Sequence, residues 1–165
     1  MERIIDVAAY IVRKYQEVSG AQLDDMKLHK LLYLTQRESF AIIGQPAFNG
    51  ILEGWKYGPV SREVRSAYYN GEIMEPTFEI SDEMKYIVNN VIYEYGALES
   101  WKLSELSHKE TSWLNSRKGL RANENGNTPL DLEDIRADAA KVRPYDHVWD
   151  MYYDEFETEL EGVLP

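Results

Sequence analysis

The chain has no cysteine, which removes disulfide frameworks, thiolate nucleophiles and cysteine zinc sites together. Its three histidines, His29, His108 and His147, are far apart and none stands at i, i+4 from another histidine, so no metal centre is expected. There is no Gly-x-Gly-x-x-Gly and no Gly-Lys-Ser or Gly-Lys-Thr phosphate loop, so the usual nucleotide-binding devices are missing and no cofactor is expected. No apolar run reaches transmembrane length. The opening "MERIIDVAAYIVRKYQEV" interrupts its apolar residues with Glu2, Asp6 and Lys14, the pattern of an amphipathic helix rather than a signal peptide, and a cytoplasmic protein is the expectation. Positive charge is also scarce, with 18 Lys and Arg against 29 Asp and Glu and a net charge of -11. Such a chain repels nucleic-acid backbones and anionic membranes before any specific contact forms, so neither is expected as a partner.

What is present is ordering material. Hydrophobic residues make up 44% of the 165, with twelve tyrosines and four tryptophans, enough for one self-standing domain. The acid is uneven: after Arg143 the chain holds Asp146, Asp150, Asp154, Glu155, Glu157, Glu159 and Glu161 with no Lys or Arg, leaving 18 basic and 22 acidic side chains in residues 1–143. The expected organisation is a mildly acidic body, residues 1–143, and an acidic amphipathic helix, residues 144–165, packed on it by Val148, Met151, Tyr152 and Phe156.

Along the body, Ile4, Ile5, Ala8, Ile11, Val12 and Tyr15 recur at helical spacing until Ser19 and Gly20. Asp24 or Asp25 caps a second helix whose stripe of Met26, Leu28, Leu31, Leu32 and Thr35 runs to about Ile43. From Phe48 to Tyr57 the helical period is lost, and a short hairpin or extended loop is expected. Pro59 fits the first turn of a helix that closes at Asn70 and Gly71. Ser81 and Asp131 cap two more helices, with two short ones between Glu99 and Gly119. The polar "GLRANENGNTPL" is expected to be the flexible loop of the body. The fold class expected is mainly α, a compact multi-helix domain with a small antiparallel β-hairpin.

Two stretches carry candidate chemistry. In "SHKE", Ser107, His108 and Glu110 can be drawn as nucleophile, base and orienter of a hydrolase; the same residues also make a helix start, Ser107 capping and Glu110 completing the capping box. In "GWKYGPV", Trp55 and Tyr57 flank Lys56, either as a strand-to-helix corner in which Gly58 turns the chain and Pro59 starts the helix, or as an aromatic and basic binding patch. The corner is preferred, because strand alternation sends Trp55 and Tyr57 to one side and Lys56 to the other.

The order of "KLHKLLYLTQ" (27–36), Gly-Gln-Pro-x-Phe (44–48), "EGWKYGPVSREV" (53–64), "YG" (95–96) and "LSELSHKETSWLNSR" (103–117) resembles the Panacea domain, or SocA-like antitoxin domain, which includes phage-associated proteins of the GepA type. The resemblance covers roughly residues 4 to 143. It implies a non-enzymatic cytoplasmic antitoxin, often carried on prophages, that binds and neutralises a protein toxin of a toxin–antitoxin system. A Clp-type protease is a second partner it implies, since one member of the family delivers its toxin to such a protease as an adaptor. It also implies that the motif residues Lys27, Leu31, Tyr33, Trp55, Tyr57, Gly58, Pro59, His108, Glu110 and Trp113 serve the scaffold. The chain departs from the family pattern at "SRE" after Gly-Pro-Val and at "RES" after Gln36. Beside the first departure, Arg62, Arg65, Tyr68 and Tyr69 are the candidate toxin-binding residues, because Arg and Tyr are types that carry interface energy.

Overall fold

The structure, a computed structural model, describes residues 1–73 and 78–142. The amphipathic helix expected over residues 144–165 lies outside the described residues.

The described chain is mainly helical, and its centre is the helix α2 (Asp25–Ile43). Asp24 caps it by accepting a hydrogen bond from the Lys27 N–H at 2.8 Å, and Gly44 ends it in the left-handed conformation at φ 70°. Every residue of α2 from Lys27 to Phe40 is buried. Three helices enclose it: α1 (Ile4–Ser19), whose apolar face runs from Ile4 to Ile11, α4 (Asp82–Tyr95), capped by Ser81, and α7 (Leu132–Lys141), capped by Asp131. Leu28, Leu31, Leu32, Ile87, Val88 and Ile135 form the core between them. Among the described residues no helix is long and apolar enough to cross a membrane.

Two small sheets flank this bundle. Strand β1 (Glu2–Arg3) pairs in parallel with β2 (Phe48–Asn49), an edge that the helical pattern at the amino terminus conceals. Strands β3 (Glu53–Trp55) and β4 (Gly58–Val60) form the expected antiparallel hairpin, with Trp55 opposite Gly58 and Gly54 opposite Pro59. Pro59 therefore sits in a strand and not at a helix start. The next helix, α3 (Arg62–Tyr69), begins two residues later, because the Ser61 hydroxyl accepts from the Val64 N–H at 3.2 Å and supplies the cap.

The loop between residues 117 and 131 is tied to the hairpin, contrary to the flexibility expected from its composition. Gly54 N–H donates to the Thr128 carbonyl at 2.9 Å and Leu130 N–H to the Leu52 carbonyl at 2.7 Å, bracketing a bridge between Glu53 and Pro129. A polar stretch whose backbone groups are paired in this way loses the freedom that its composition suggests.

Helices α5 (Ser100–Ser107) and α6 (Thr111–Ser116) correct the capping-box reading. Ser107 ends α5, and its hydroxyl donates back to the Ser104 carbonyl at 2.8 Å. The first N–H groups of α6, on Thr111 and Ser112, donate to the Asp138 carboxylate of α7 at 2.7 and 2.9 Å. A carboxylate distant in sequence thus does the capping, which leaves Glu110 free for other partners.

The link between α2 and β2 depends on one amide. Gln36, 1% exposed, accepts from the Ala47 N–H at 2.7 Å and more weakly from the Phe48 N–H at 3.4 Å. Gln36→Leu keeps the volume but orphans a buried N–H, and the expected loss is about 1 to 3 kcal/mol in chemical denaturation. An unchanged midpoint would show that β2 is held by packing alone.

Candidate functional site

Polar side chains on a helix buried over most of its length are costly unless they find partners. Eight buried side chains of α2 are polar: Lys27, His29, Lys30, Thr35, Gln36, Arg37, Glu38 and Ser39. Arg37 donates to Glu110 at 2.9 Å, to Glu38 at 3.2 Å and to the Tyr95 hydroxyl at 2.9 Å. Tyr33 donates to Glu110 at 2.9 Å and also lies 3.2 Å from the Asp138 carboxylate. Burial raises both the Glu110 and the Glu38 carboxyl above their usual range, with Arg37 working against the shift in each. This network joins α2, α4, α6 and α7 behind the hairpin.

The stretch from Ser104 to Arg117 holds the hairpin from the same side. The Trp113 indole N–H donates to the Trp55 carbonyl at 2.8 Å, the Ser104 hydroxyl to the Tyr57 carbonyl at 2.6 Å, and Arg117 to the Gly54 carbonyl at 3.0 Å. His108 stacks on Trp113 with ring centres 4.1 Å apart. Burial lowers its pKa, and the charge of Lys30 lowers it further. His108 and Glu110 are neighbours in sequence but take different partners, since both Glu110 oxygens accept from Arg37 and Tyr33.

On its other side the hairpin faces a cleft of about 590 Å³ between α3, the start of α2 and the 125–127 loop. The half-buried Trp55 ring stands at its centre with the Arg62 and Arg65 guanidinium groups 5.5 and 5.3 Å from the ring centre. Arg62 also pairs with Glu53 at 2.8 Å and Arg65 with Asp25 at 2.9 Å. Tyr57 and Tyr69 are 55% and 64% exposed beside it. Asp25 organises the near wall. It accepts from His29 at 2.8 Å, from Arg65 and from the Tyr69 hydroxyl at 3.2 Å, and these partners outweigh burial to hold its carboxyl below the usual range. The His29 Nδ1 accepts from the Ser61 N–H at 3.2 Å, so the ring joins α2 to the cap of α3, and burial depresses its pKa and keeps it neutral.

The four candidate binding residues divide. Arg62, Arg65 and Tyr69 come together around Trp55, whereas the Tyr68 hydroxyl turns away to the Leu23 carbonyl at 2.8 Å. Of the motif residues, Leu31, Tyr33 and Trp113 are buried, Lys27 is buried with its ammonium 3.2 Å from the Tyr15 hydroxyl, and Tyr57 projects to solvent. Sequence reasoning passed over His29, Lys30 and Asp25, which build the cleft wall and floor. The available signal was a set of ionisable residues at i, i+4 and i, i+5 inside a helix otherwise read as an apolar stripe.

Lys30 is 2% exposed and lies under Gly58. Gly58 has φ +121°, and a Cβ there would stand 2.6 Å from the Lys30 Cε, so the turn is shaped to the lysine stem. Desolvation depresses the Lys30 ammonium to about 8. Between that value and its ordinary 10.5 the unfolded chain holds a proton that the folded chain has released, so stability rises with pH across this window and the full penalty is present at pH 7. Denaturation midpoints should give an increase of about 2 kcal/mol from pH 8 to 10. The increase should be absent in Lys30→Met; an equal rise in that variant would assign it to other groups.

The sequence matches the family described as Antitoxin SocA-like, Panacea domain, over residues 28–114, from the first turns of α2 into α6. No curated protein and no solved structure matches the chain. The matched segment contains α2 from Leu28 onward, the hairpin with Trp55 and the Ser104 to Trp113 brace, and covers more than half of the chain. The protein therefore belongs to the SocA-like antitoxin family of Panacea domains.

Proposed function

We propose that the protein neutralises a cognate protein toxin by binding it directly through the face made by the β3–β4 hairpin and α3. Membership of an antitoxin family supports a role of the toxin–antitoxin type. The observation that carries the choice of face is the cluster around Trp55, where one tryptophan and two arginines line two adjoining hollows, with the exposed Tyr57 in the larger cleft and the exposed Tyr69 in the other. Trp, Tyr and Arg dominate interface energetics when they cluster, and they do so best when held rigid before binding. Here the rigidity comes from Glu53, Asp25 and the brace behind the hairpin. The two ion pairs are partly exposed and add little to stability themselves, but they fix where the guanidinium groups stand.

The test requires the toxin, and the product of the adjacent reading frame is the first to try. The double variant Arg62→Ala with Tyr69→Ala should weaken toxin binding at least about tenfold and abolish growth rescue. Both side chains are largely exposed, so the melting temperature should stay near that of the parent. Trp101→Ala removes an equally exposed aromatic that does not line the cleft and serves as the control. Wild-type pull-down of toxin by the double variant would remove the hairpin–α3 face from consideration.

A further inference from the structure

The floor of the cleft holds a charge that the fold leaves unmatched. Of the eight buried polar side chains of α2, seven reach a hydrogen-bond partner. Lys27 donates to Tyr15, His29 to Asp25, Thr35 to the Leu31 carbonyl and Ser39 to the Gln45 carbonyl, while Gln36, Arg37 and Glu38 are bonded as described above. Lys30, the eighth, makes no hydrogen bond or ion pair with any described residue. The acids that attract it at longer range are committed elsewhere, Asp24 to the cap of α2 and Asp25 to His29, Arg65 and Tyr69. The other charged or titratable groups around it are His29, Lys56 on the hairpin turn, Arg65 on α3 and His108 at the end of α5, with Tyr33, Arg37 and Glu110 across a small cavity on its far side; the one carboxylate among them, Glu110, forms no ion pair with Lys30 and has both oxygens taken by Tyr33 and Arg37.

An ammonium buried without a partner is costly, and a fold that needed only volume at this position would place Met or Leu there. The Gly58 turn nevertheless leaves room for the lysine stem, and Lys30 lines the cleft. The cleft is also opposite in sign to the chain around it: Lys30, Lys56, Arg62 and Arg65 line it against Asp25 alone, in a chain of net charge -11. Trp55 and Tyr57 offer apolar walls beside these cations.

We propose that Lys30 is the anchor for a carboxylate carried by a segment of the bound protein partner, which enters the cleft beside Trp55 and completes the ion pair that the isolated chain lacks. The proposal rests on the reading of this face as the toxin-binding one and adds the chemistry it selects, an acidic side chain or terminal carboxylate flanked by apolar atoms. A carboxylate suits the site better than a polyphosphate, whose several charges meet the negative field of the rest of the chain.

Glutarate serves as the probe, added to full-length protein carrying 13C-labelled lysine, with the Lys30 Cε resonance followed against pH. The free protein should titrate near pH 8, and saturating glutarate should raise that midpoint by about one unit, because a nearby anion favours the charged form. A midpoint indifferent to glutarate overturns the proposal. So does a free-protein midpoint at the ordinary lysine value, which would mean that the ammonium is already paired. A larger response to inorganic phosphate at the same concentration overturns the carboxylate assignment. With toxin in hand, Lys30→Met should raise the melting temperature and weaken binding at least about tenfold; a lower melting temperature, or unchanged binding, counts against it. The glutarate measurement needs no toxin, so its failure removes Lys30 as an anchor while the Arg62 and Tyr69 variant still decides the face.

Discussion

The rest of the structure depends on the requirement that polar groups enclosed with α2 be satisfied where they stand. A helix buried from Lys27 to Phe40 passes few of its polar side chains to solvent, so several of them dictate the position of another element. Gln36 fixes β2, His29 fixes the start of α3 through the Ser61 N–H, and Arg37 with Tyr33 fixes Glu110, Tyr95 and Asp138. Apolar packing alone would leave the order of these pieces under-specified, since hydrophobic contacts are non-directional. The hydrogen bonds supply the directions. The motif "KLHKLLYLTQ" is thus less an amphipathic stripe than a list of connections, and this explains why its polar members sit between the leucines and not opposite them.

The hairpin inherits its rigidity from those connections. Its inner carbonyls are taken by Ser104, Trp113 and Arg117, and its outer strand edge by the 128–130 stretch. A two-stranded hairpin is marginal by itself in water, so the brace keeps Trp55 and Tyr57 in place. Ring and guanidinium positions around Trp55 are then set from both sides, by the brace behind and by Asp25 and Glu53 in front. A surface prepared in this way loses little conformational freedom on binding.

Much of the helical order was legible in the sequence, because caps and periodicity are local. Ser81, Asp131 and Asp24 cap where their hydroxyl and carboxyl chemistry predicts, and Gly20 and Gly44 terminate α1 and α2. The misreadings arose where a distant group intervened. Pro59 reads as a helix start until Glu53 and Gly54 pair across from it. Ser107 and Glu110 read as a capping box until Asp138, 28 residues beyond Glu110, takes the N–H groups of α6. The "GLRANENGNTPL" loop reads as flexible until its backbone meets Leu52 and Gly54. In the cleft, Arg62, Arg65 and Tyr69 were found by residue type, but Lys30 and Asp25 were not, since helical periodicity has no way to show that a lysine lies beneath a turn 28 residues downstream.

The family match ends at residue 114, yet the matched segment is not closed on its own. Asp138 on α7 caps α6 and receives Tyr33, and the Leu130 N–H completes the hairpin edge at Leu52. These groups come from beyond the match, Asp138 satisfying donors within it and the Leu130 N–H an acceptor. They do so through backbone N–H groups and one carboxylate, contacts that put few demands on surrounding sequence. The cleft too is assembled across that boundary, since Lys30, Trp55, Tyr57, Arg62 and Arg65 lie within the match and Asp25 and the 125–127 loop line it from outside. In the proposed complex a buried charge pair at Lys30 would govern how long the partner stays, and the rim charges of Arg62 and Arg65 how fast it arrives. In that complex the overall negative charge would act at longer range, drawing a basic partner surface towards a cleft that receives its one acidic group.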